Sequence, residues 1–254
     1  MKTEFIRLVK LVKNLDELMK NLGEEKTQKQ TELGLLLFIS RNYSSLKSAL
    51  YLLQQYEPTF DHALGLIFRN ILTDFFLVMN IRYNTNGREE IDWVMEGYFI
   101  DCETKIDKYV ALAKESELTT VENIKKATEN LNDKATISGV IREKKQNRKI
   151  ESKSFQTSTL FKNLLKNPGV ENHIKKEINN AFDLWKFYCQ YEHFGLKSSE
   201  VTRNVSEKMF NSRIESIIIY SILSIRTCLT ALAKYEEELQ LSDFELRESW
   251  ATQA

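Results

Sequence analysis

The chain has 254 residues with 36 basic and 36 acidic side chains, so its formal net charge at pH 7 is zero. A general nucleic-acid-binding protein usually carries a basic excess, and this balance argues against that class of function. Only two prolines and eight glycines occur in the whole chain. Because turn-rich β folds need both residues in their turns, their scarcity predicts long helices joined by few connections.

The cysteines and the apolar segments indicate the cellular compartment. Cys102, Cys189 and Cys228 are isolated from one another, which predicts neither a disulfide framework nor a zinc site and suits a reducing cytosol. Charges within the first seven residues argue against a signal peptide. The long apolar run over 216–233 contains Arg226, which is unfavourable in a membrane helix, so a core helix is expected there. We therefore expect a cytoplasmic protein without a membrane span.

The first half of the chain contains three helical patterns. Apolar residues spaced three and four apart predict a first helix that ends at Gly23 and a second over about 24–55. Pro58 precedes a third helix, which begins at Thr59 or Asp61 and is apolar on nearly all sides. A helix of this kind belongs inside a bundle rather than on its surface.

The remainder of the chain continues the helical pattern after a clear loop at 84–87. A capping box at 119–122 begins one polar helix, and an Asn-Pro-Gly sequence at 167–169 ends a short one. The helices expected in this part span about 88–114, 119–131, 158–166, 170–193 and 205–239.

No stretch alternates apolar and polar residues over five or more positions, and no repeat of fixed period is evident. The sequence therefore predicts a single all-α domain over 1–254, a bundle of about seven to nine helices with essentially no strand. Within it we expect a core bundle over 61–233, an exposed basic helix and connector over 132–159, and a flexible acidic tail over 240–254.

The spacings of known metal and phosphate sites are missing. The three histidines, His62, His173 and His193, form neither the Glu-x-x-His pairs of di-iron bundles nor the His-Glu-x-x-His of zinc proteases. A glycine-rich phosphate loop is also missing. We therefore expect no metal and no cofactor.

His193 is the histidine with the most suggestive surroundings. It follows Tyr188 and Tyr191 and precedes Gly195, which can end a helix in the left-handed conformation. A helix C-terminus favours a positive imidazole, which suits an acid–base or phosphate-binding group at the edge of a cleft. The alternative is a structural role, in which the ring bonds free carbonyls of the last helical turn and the tyrosines pack.

Three charged residues interrupt apolar helices. Arg69 and Asp74 are turned about 140° from each other on the third helix, so each needs a partner from another helix, and Arg226 raises the same question. One interpretation is a single polar cluster in a crevice, with His193, Arg69 and Arg226 catalytic. The other is separate ion pairs, for example with Asp183 or Glu192, that fix helix register. In the first interpretation, the single polar cluster also contains Asp74, Tyr188, Tyr191 and Glu192.

A basic run over 142–153 holds six basic residues against two acidic ones. Such a run can contact phosphates or an acidic partner. With little aromatic content for base stacking, a solvated helix face is the alternative. The candidate anion-binding residues are Arg142, Lys144, Lys145, Arg148 and Lys149.

The third-helix motif over 68–74, combined with Tyr188-x-x-Tyr191-x-His193, resembles a family of uncharacterised bacterial all-helical proteins. The likeness covers roughly 61–233. Members typically show an arginine followed four residues later by a glutamate, and later a tyrosine and a serine ahead of a histidine. This chain departs in having Thr73 in the acid's place, with Asp74 one step on, and Tyr191 in place of the small hydroxyl residue.

The chain also resembles, more distantly, the helical HEPN group of bacterial toxin and antiphage systems, whose ribonucleases use an Arg-x4-6-His motif. Here no arginine stands four to seven residues before any histidine; Tyr188 lies five residues before His193. The resemblance therefore implies a nuclease only through a composite site, with Arg69 or Arg226 supplied by another helix.

Two functions follow from these patterns. The first is a non-enzymatic cytosolic bundle that binds a protein partner or a second copy of itself, in bacterial defence or stress response. The second is a HEPN-like, metal-independent ribonuclease in which His193 is the acid–base group and Arg69 or Arg226 holds the phosphate. Balanced charge and missing catalytic spacings favour the first, so nucleic acid is the less favoured partner.

Overall fold

The computed structural model describes residues 2–23, 30–55, 61–115, 129, 145, 154–189 and 207–233. This part of the chain forms seven α-helices and contains no strand, which confirms the all-α fold. The expected tail over 240–254, and almost all of the expected helix over 119–131, lie outside the described residues. The helices are α1 (Lys2–Gly23), α2 (Gln30–Gln54), α3 (Asp61–Asn84), α4 (Arg88–Glu115), α5 (Thr157–Lys166), α6 (Asn172–Cys189) and α7 (Glu207–Ala233).

Helix α3 lies at the centre of the bundle. It packs against α2, α5, α6 and α7, and Leu72, Phe76 and Val78 are fully buried in it. A helix can be enclosed on so many sides only if nearly every side is apolar. The expectation drawn from the composition of this segment is therefore confirmed.

Helix α7 is the second core helix. Ile217, Ile218 and Ile225 are buried, as expected for the apolar run, and the helix packs against α3 and α2. By length and composition alone, His62–Asn84 and Asn211–Leu232 would each suffice to cross a membrane. Buried core helices meet the same criterion, and most of each apolar window is enclosed in this bundle.

Aromatic contacts fix α5 and α6 against α3. The ring of Phe161 stacks on Phe182 with centroids 3.8 Å apart, and both rings meet Phe76 edge-on. Each such pair adds about 0.5–1.5 kcal/mol beyond the area it buries. Helix α6 is therefore held to α3 at a defined height along its axis.

The order of contacts shows that α6 runs antiparallel to α3. Residue numbers rise along α6 as they fall along α3. The C-terminal end of α6 consequently lies beside the first half of α3. The three pairs that show this are Phe182 on Phe76, Trp185 on Thr73 and Tyr188 on Phe68.

Three asparagines join the end of α3 to α5 and the turn that follows it. Asn80 Nδ2 donates to the carbonyl oxygen of Leu160 at 3.0 Å, and Asn84 Nδ2 donates to Asn80 Oδ1 at 2.7 Å. Asn167 Nδ2 in turn donates to Asn84 Oδ1 at 2.7 Å and to the carbonyl oxygen of Tyr83 at 2.6 Å. The bond to Tyr83 satisfies a carbonyl in the last turn of α3, where regular helix bonding ends, and the bond to Leu160 ties α5 to α3.

The two halves of α4 differ in burial. In the first half, Ile91, Met95 and Ile100 are buried, and Gly34 of α2 allows the two helices to approach closely. A Cβ at Gly34 would lie 2.5 Å from Met95 Cε and 2.8 Å from Phe99 Cζ, so a side chain there requires Met95 and Phe99 to shift. Over 104–112, by contrast, every residue is at least partly exposed.

Candidate functional site

The carboxylate of Asp74 is paired with Arg41 of α2. Asp74 is only 3% exposed; Arg41 Nε donates to its Oδ2 at 2.6 Å, and Arg41 Nη2 donates to its Oδ1. A bidentate guanidinium is the strongest partner that a buried carboxylate can have in a protein. The expectation that Asp74 needs a partner from another helix is confirmed, and that partner is a residue the sequence analysis did not nominate.

Polar side chains of α4 surround this ion pair. Tyr98 and Cys102, one helical turn apart on α4, lie close enough to Arg41 for its charge to act on both side chains. The ring of Phe38 lies under the Arg41 guanidinium, 5.3 Å from its Cζ. We call Arg41, Asp74, Tyr98 and Cys102 the Arg41 centre; it connects α2, α3 and α4.

Burial dominates the ionisation of the Arg41 centre. It raises the pKa of Asp74 to about 6 in spite of the lowering effect of Arg41, and it raises the pKa of Tyr98 to about 12. Burial also raises the pKa of the Cys102 and Cys228 thiols, which therefore stay protonated near neutrality. Since thiolate is the reactive form, neither cysteine is suited to act as a nucleophile.

The end of α6 forms a second polar location, separate from the Arg41 centre. Tyr188 is 1% exposed and packs edge-on against Phe68 and Phe187. Asp74 lies six residues beyond Phe68 on α3, about 9 Å along the axis. Two members of the expected polar cluster, Asp74 and Tyr188, are thus packed among different neighbours.

Arg69 lies on the side of α3 that faces α6. Thr73, one turn later on the same face, donates from Oγ1 to the Arg69 carbonyl oxygen at 3.0 Å and accepts from Trp185 Nε1 at 3.1 Å. Because α6 runs antiparallel, Arg69 lies next to its last described turn. Its side chain is half-buried there.

Arg213 of α7 reaches the same end of α6. Its Cζ is 4.2 Å from the ring centroid of Phe187, and the residue is only 7% exposed. Its Nη1 and Nη2 are buried and have no hydrogen-bond acceptor in the part of the chain that the structure describes. We call Arg69, Phe187, Tyr188 and Arg213 the α6 end site.

The other residues of the expected cluster are not brought to this site by the described structure. Arg226 is exposed and lies thirteen residues beyond Arg213, about 20 Å along α7. His193, Tyr191 and Glu192 lie outside the described residues. The role of His193 therefore stays a prediction.

One residue of the basic run is described. Lys145 Nζ lies 2.7 Å from Asp107 Oδ2 of α4, and both side chains are partly exposed. Surface pairs of this kind contribute about 0–1 kcal/mol. The other four candidate anion-binding residues, Arg142, Lys144, Arg148 and Lys149, lie outside the described residues.

Neither a metal-binding group nor a similar protein identifies the site. Within the described ranges, no group of three or more His, Cys, Asp or Glu residues could hold a metal ion. Comparisons with protein-family models, characterised proteins and solved structures found no match. The function must therefore be argued from the geometry itself.

The sequence analysis missed Arg41, which pairs with Asp74, and Arg213, which lies over the ring of Phe187. Arg41 stands between Ser40 and Asn42, and Arg213 follows Ser212, so both look like residues of a solvated helix face. The sequence feature that pointed to Arg41 was Asp74, because a carboxylate on an apolar helix needs a cation from another helix. For Arg213 the sequence offers no comparable signal.

Proposed function

We propose that this chain is a helical-bundle protein that acts by binding another protein through the second half of α4. The observation that carries the proposal is the exposure of two large apolar side chains there, Tyr109 at 71% and Leu112 at 58%. Bacterial defence or stress response in the cytoplasm, the setting that the resemblance implies, belongs to the same proposal.

The apolar side chains in this half of α4 form a continuous surface. The i, i+3 and i+4 spacing places Ile106, Tyr109 and Val110 on one face, and Leu112 lies one turn from Tyr109. Asp107 lies about 160° from Tyr109 and about 140° from Leu112 around the helix, and it binds Lys145. The helix thus directs polar contacts toward its own chain and apolar side chains toward solvent, which is typical of a face that docks a partner helix.

The proposal is tested with a double variant, Tyr109→Ser/Leu112→Ser, and a matched control, Tyr51→Ser. Tyr51 is equally exposed, at 64%, but lies on α2. Tagged wild-type chain and both variants are purified from their native cells, and bound proteins are quantified by mass spectrometry.

We expect one protein to accompany the wild-type chain and the control in fixed ratio and to be lost from the double variant. If the bound proteins are the same in all three samples, the α4 face is not the binding surface. Sedimentation of the purified chain shows whether that partner is a second copy.

The α6 end site favours a second candidate, the metal-independent ribonuclease. Two arginines, Arg69 and Arg213, flank the end of α6 that leads toward His193. Cleavage of an RNA phosphodiester with an acid–base histidine requires cationic groups near the phosphate. In this candidate Arg69 is the phosphate-binding arginine, because Nη1 and Nη2 of Arg213 are enclosed.

The ribonuclease candidate predicts RNA cleavage by the wild-type chain in the presence of a metal chelator. His193→Ala should abolish the cleavage, whereas His62→Ala should retain it. Cleavage that survives in His193→Ala, or is missing from the wild-type chain, excludes this candidate without affecting the α4 proposal.

A further inference from the structure

The strongest unexplained feature of the bundle is the guanidinium of Arg213. A guanidinium is a permanent cation with five N–H donors. Here Nη1 and Nη2 are shielded from water, and the described part of the chain offers them no acceptor. An unpaired buried charge is strongly destabilising, so a site of this kind normally includes a counter-charge.

The ring of Phe187 cannot supply what Arg213 lacks. It covers one face of the guanidinium, with Cζ 4.2 Å from the ring centroid. A phenyl ring offers no oxygen or nitrogen acceptor, so Nη1 and Nη2 still lack a hydrogen-bond partner beside it. A cation–π contact is also much weaker than the desolvation that it would have to offset.

Two other arginines show how the fold treats this side chain elsewhere. Arg41 is also stacked on a phenylalanine, Phe38, and receives the carboxylate of Asp74. Arg82 lies over the ring of Tyr83 at 5.4 Å, but it is exposed and hydrated. Arg213 is buried deeply enough to require an anion. No carboxylate of the described residues bonds its Nη1 or Nη2.

We propose that Arg213 is a binding site for a small oxyanion, held in the plane of its guanidinium between α6 and α7. Phosphate and carboxylate groups match the parallel N–H donors of arginine, and each forms charge-assisted hydrogen bonds with them. Nη1 and Nη2 are enclosed, so an anion reaches them only when the packing around Arg213 opens locally. This requirement favours a small anion over a nucleic-acid strand, which needs an open groove. The site is independent of the proposed α4 binding surface.

The test measures the melting temperature of the wild-type chain in phosphate, acetate and chloride at equal ionic strength. We expect phosphate or acetate to raise Tm by about 5–10 °C at one hundred times its Kd, relative to chloride. Phosphate alone identifies a tetrahedral anion, and acetate a carboxylate. Equal Tm values in all three salts overturn the proposal.

Two variants locate the effect. In Arg213→Met the Tm shift should vanish, whereas Arg82→Met, which removes an exposed arginine from an aromatic ring, should keep it. Retention of the shift in Arg213→Met places the anion elsewhere and overturns the proposal. Calorimetric titration of the wild-type chain with phosphate and acetate measures the affinity without any variant. The proposal can therefore be tested even if Arg213→Met does not fold.

A counter-charge within the chain is the competing explanation. The segment between α6 and α7 contains Glu192 and Glu200, either of which carries the required charge. If Glu192→Gln or Glu200→Gln lowers Tm in chloride and the wild-type chain ignores phosphate and acetate, the chain supplies its own anion and the proposal is wrong.

Discussion

Arg41 and Arg213 are both stacked on a phenylalanine ring at a helix contact, yet only one of them receives a carboxylate. Arg41 is half-exposed and bonds Asp74 with two donors. Arg213 is more deeply buried, and its Nη1 and Nη2 have no acceptor among the described residues. Burial of the Arg213 charge therefore costs more free energy than burial of the Arg41 charge, yet Arg213 has no counter-charge among the described residues.

This difference separates two uses of an arginine at a helix contact. At the Arg41 centre the charges neutralise each other, and the pair holds α2, α3 and α4 in register. At the α6 end site the charge is enclosed by packing and has no acceptor among the described residues. The same substitution at the two positions should consequently have opposite effects on stability.

The largest effect is expected for Arg41→Met. The change leaves the carboxylate of Asp74 buried without its cation, and breaking a buried pair in this way lowers the free energy of unfolding by about 3 kcal/mol. Urea denaturation at pH 7 measures it. The control is Arg7→Met, which removes a surface pair with Glu215 at 3.2 Å and should lose less than about 1 kcal/mol. Equal losses would show that the Arg41 pair is no stronger than a surface pair.

The next effect is a pH dependence carried by Asp74. Burial raises its pKa to about 6 in the folded chain, above the ordinary value of 3.8, so the folded state binds its proton more tightly than the unfolded state. Its contribution to stability is therefore full below about pH 4 and is lost as pH rises through about 6, by up to roughly 3 kcal/mol.

The pH prediction is measured as a difference between two proteins. The free energy of unfolding of wild type minus that of Asp74→Asn, followed from pH 4 to pH 7.5, removes the contribution of the other carboxylates. We expect this difference to fall with rising pH. A difference that rises with pH would mean that Arg41 outweighs burial and holds the Asp74 pKa below its ordinary value.

A smaller effect of opposite sign is expected for Arg213→Met in chloride without an added oxyanion. Replacement of an uncompensated buried cation by an apolar side chain of similar length should raise the free energy of unfolding by about 1 kcal/mol. Urea denaturation beside Arg41→Met tests the comparison directly. A loss as large as that of Arg41→Met would show that the two arginines are equally compensated.

The smallest effect is the coupling between Arg213 and Phe187. A double-mutant cycle with Arg213→Met and Phe187→Leu should give a coupling energy of about 0.5–1 kcal/mol, the range of a cation–π contact. Zero coupling would mean that Phe187 merely borders the arginine. Coupling above about 2 kcal/mol would mean that the ring supplies most of the compensation, and the case for an anion would weaken.

Much of the fold was predictable because it depends on local patterns. The position of α3 at the centre follows from its apolar residues on nearly every side, and the loop at 84–87 follows from its Asn and Gly content. Even the need of Asp74 for a partner outside its own helix could be derived from spacing. These properties depend on residues close together in the chain.

The contacts that make up the sites were less predictable because they join distant residues. Asp74 could have been paired with any cation in the bundle, and only the packing of α2 selects Arg41. Arg213 becomes notable through its burial beside Phe187, which depends on how α6 and α7 cross. His193 was chosen for its chemistry, and its geometry lies outside the described residues.

The asparagine chain has a consequence for how the bundle opens. Asn80, Asn84 and Asn167 connect the end of α3, α5 and the turn after it through side-chain bonds, so these segments should lose amide protection together in hydrogen exchange. The second half of α4 is tied to the described structure through a partly exposed pair, Asp107 with Lys145, and should exchange much earlier. The slowest-exchanging unit of the protein would then include a turn that, by sequence, looks like an ordinary surface connection.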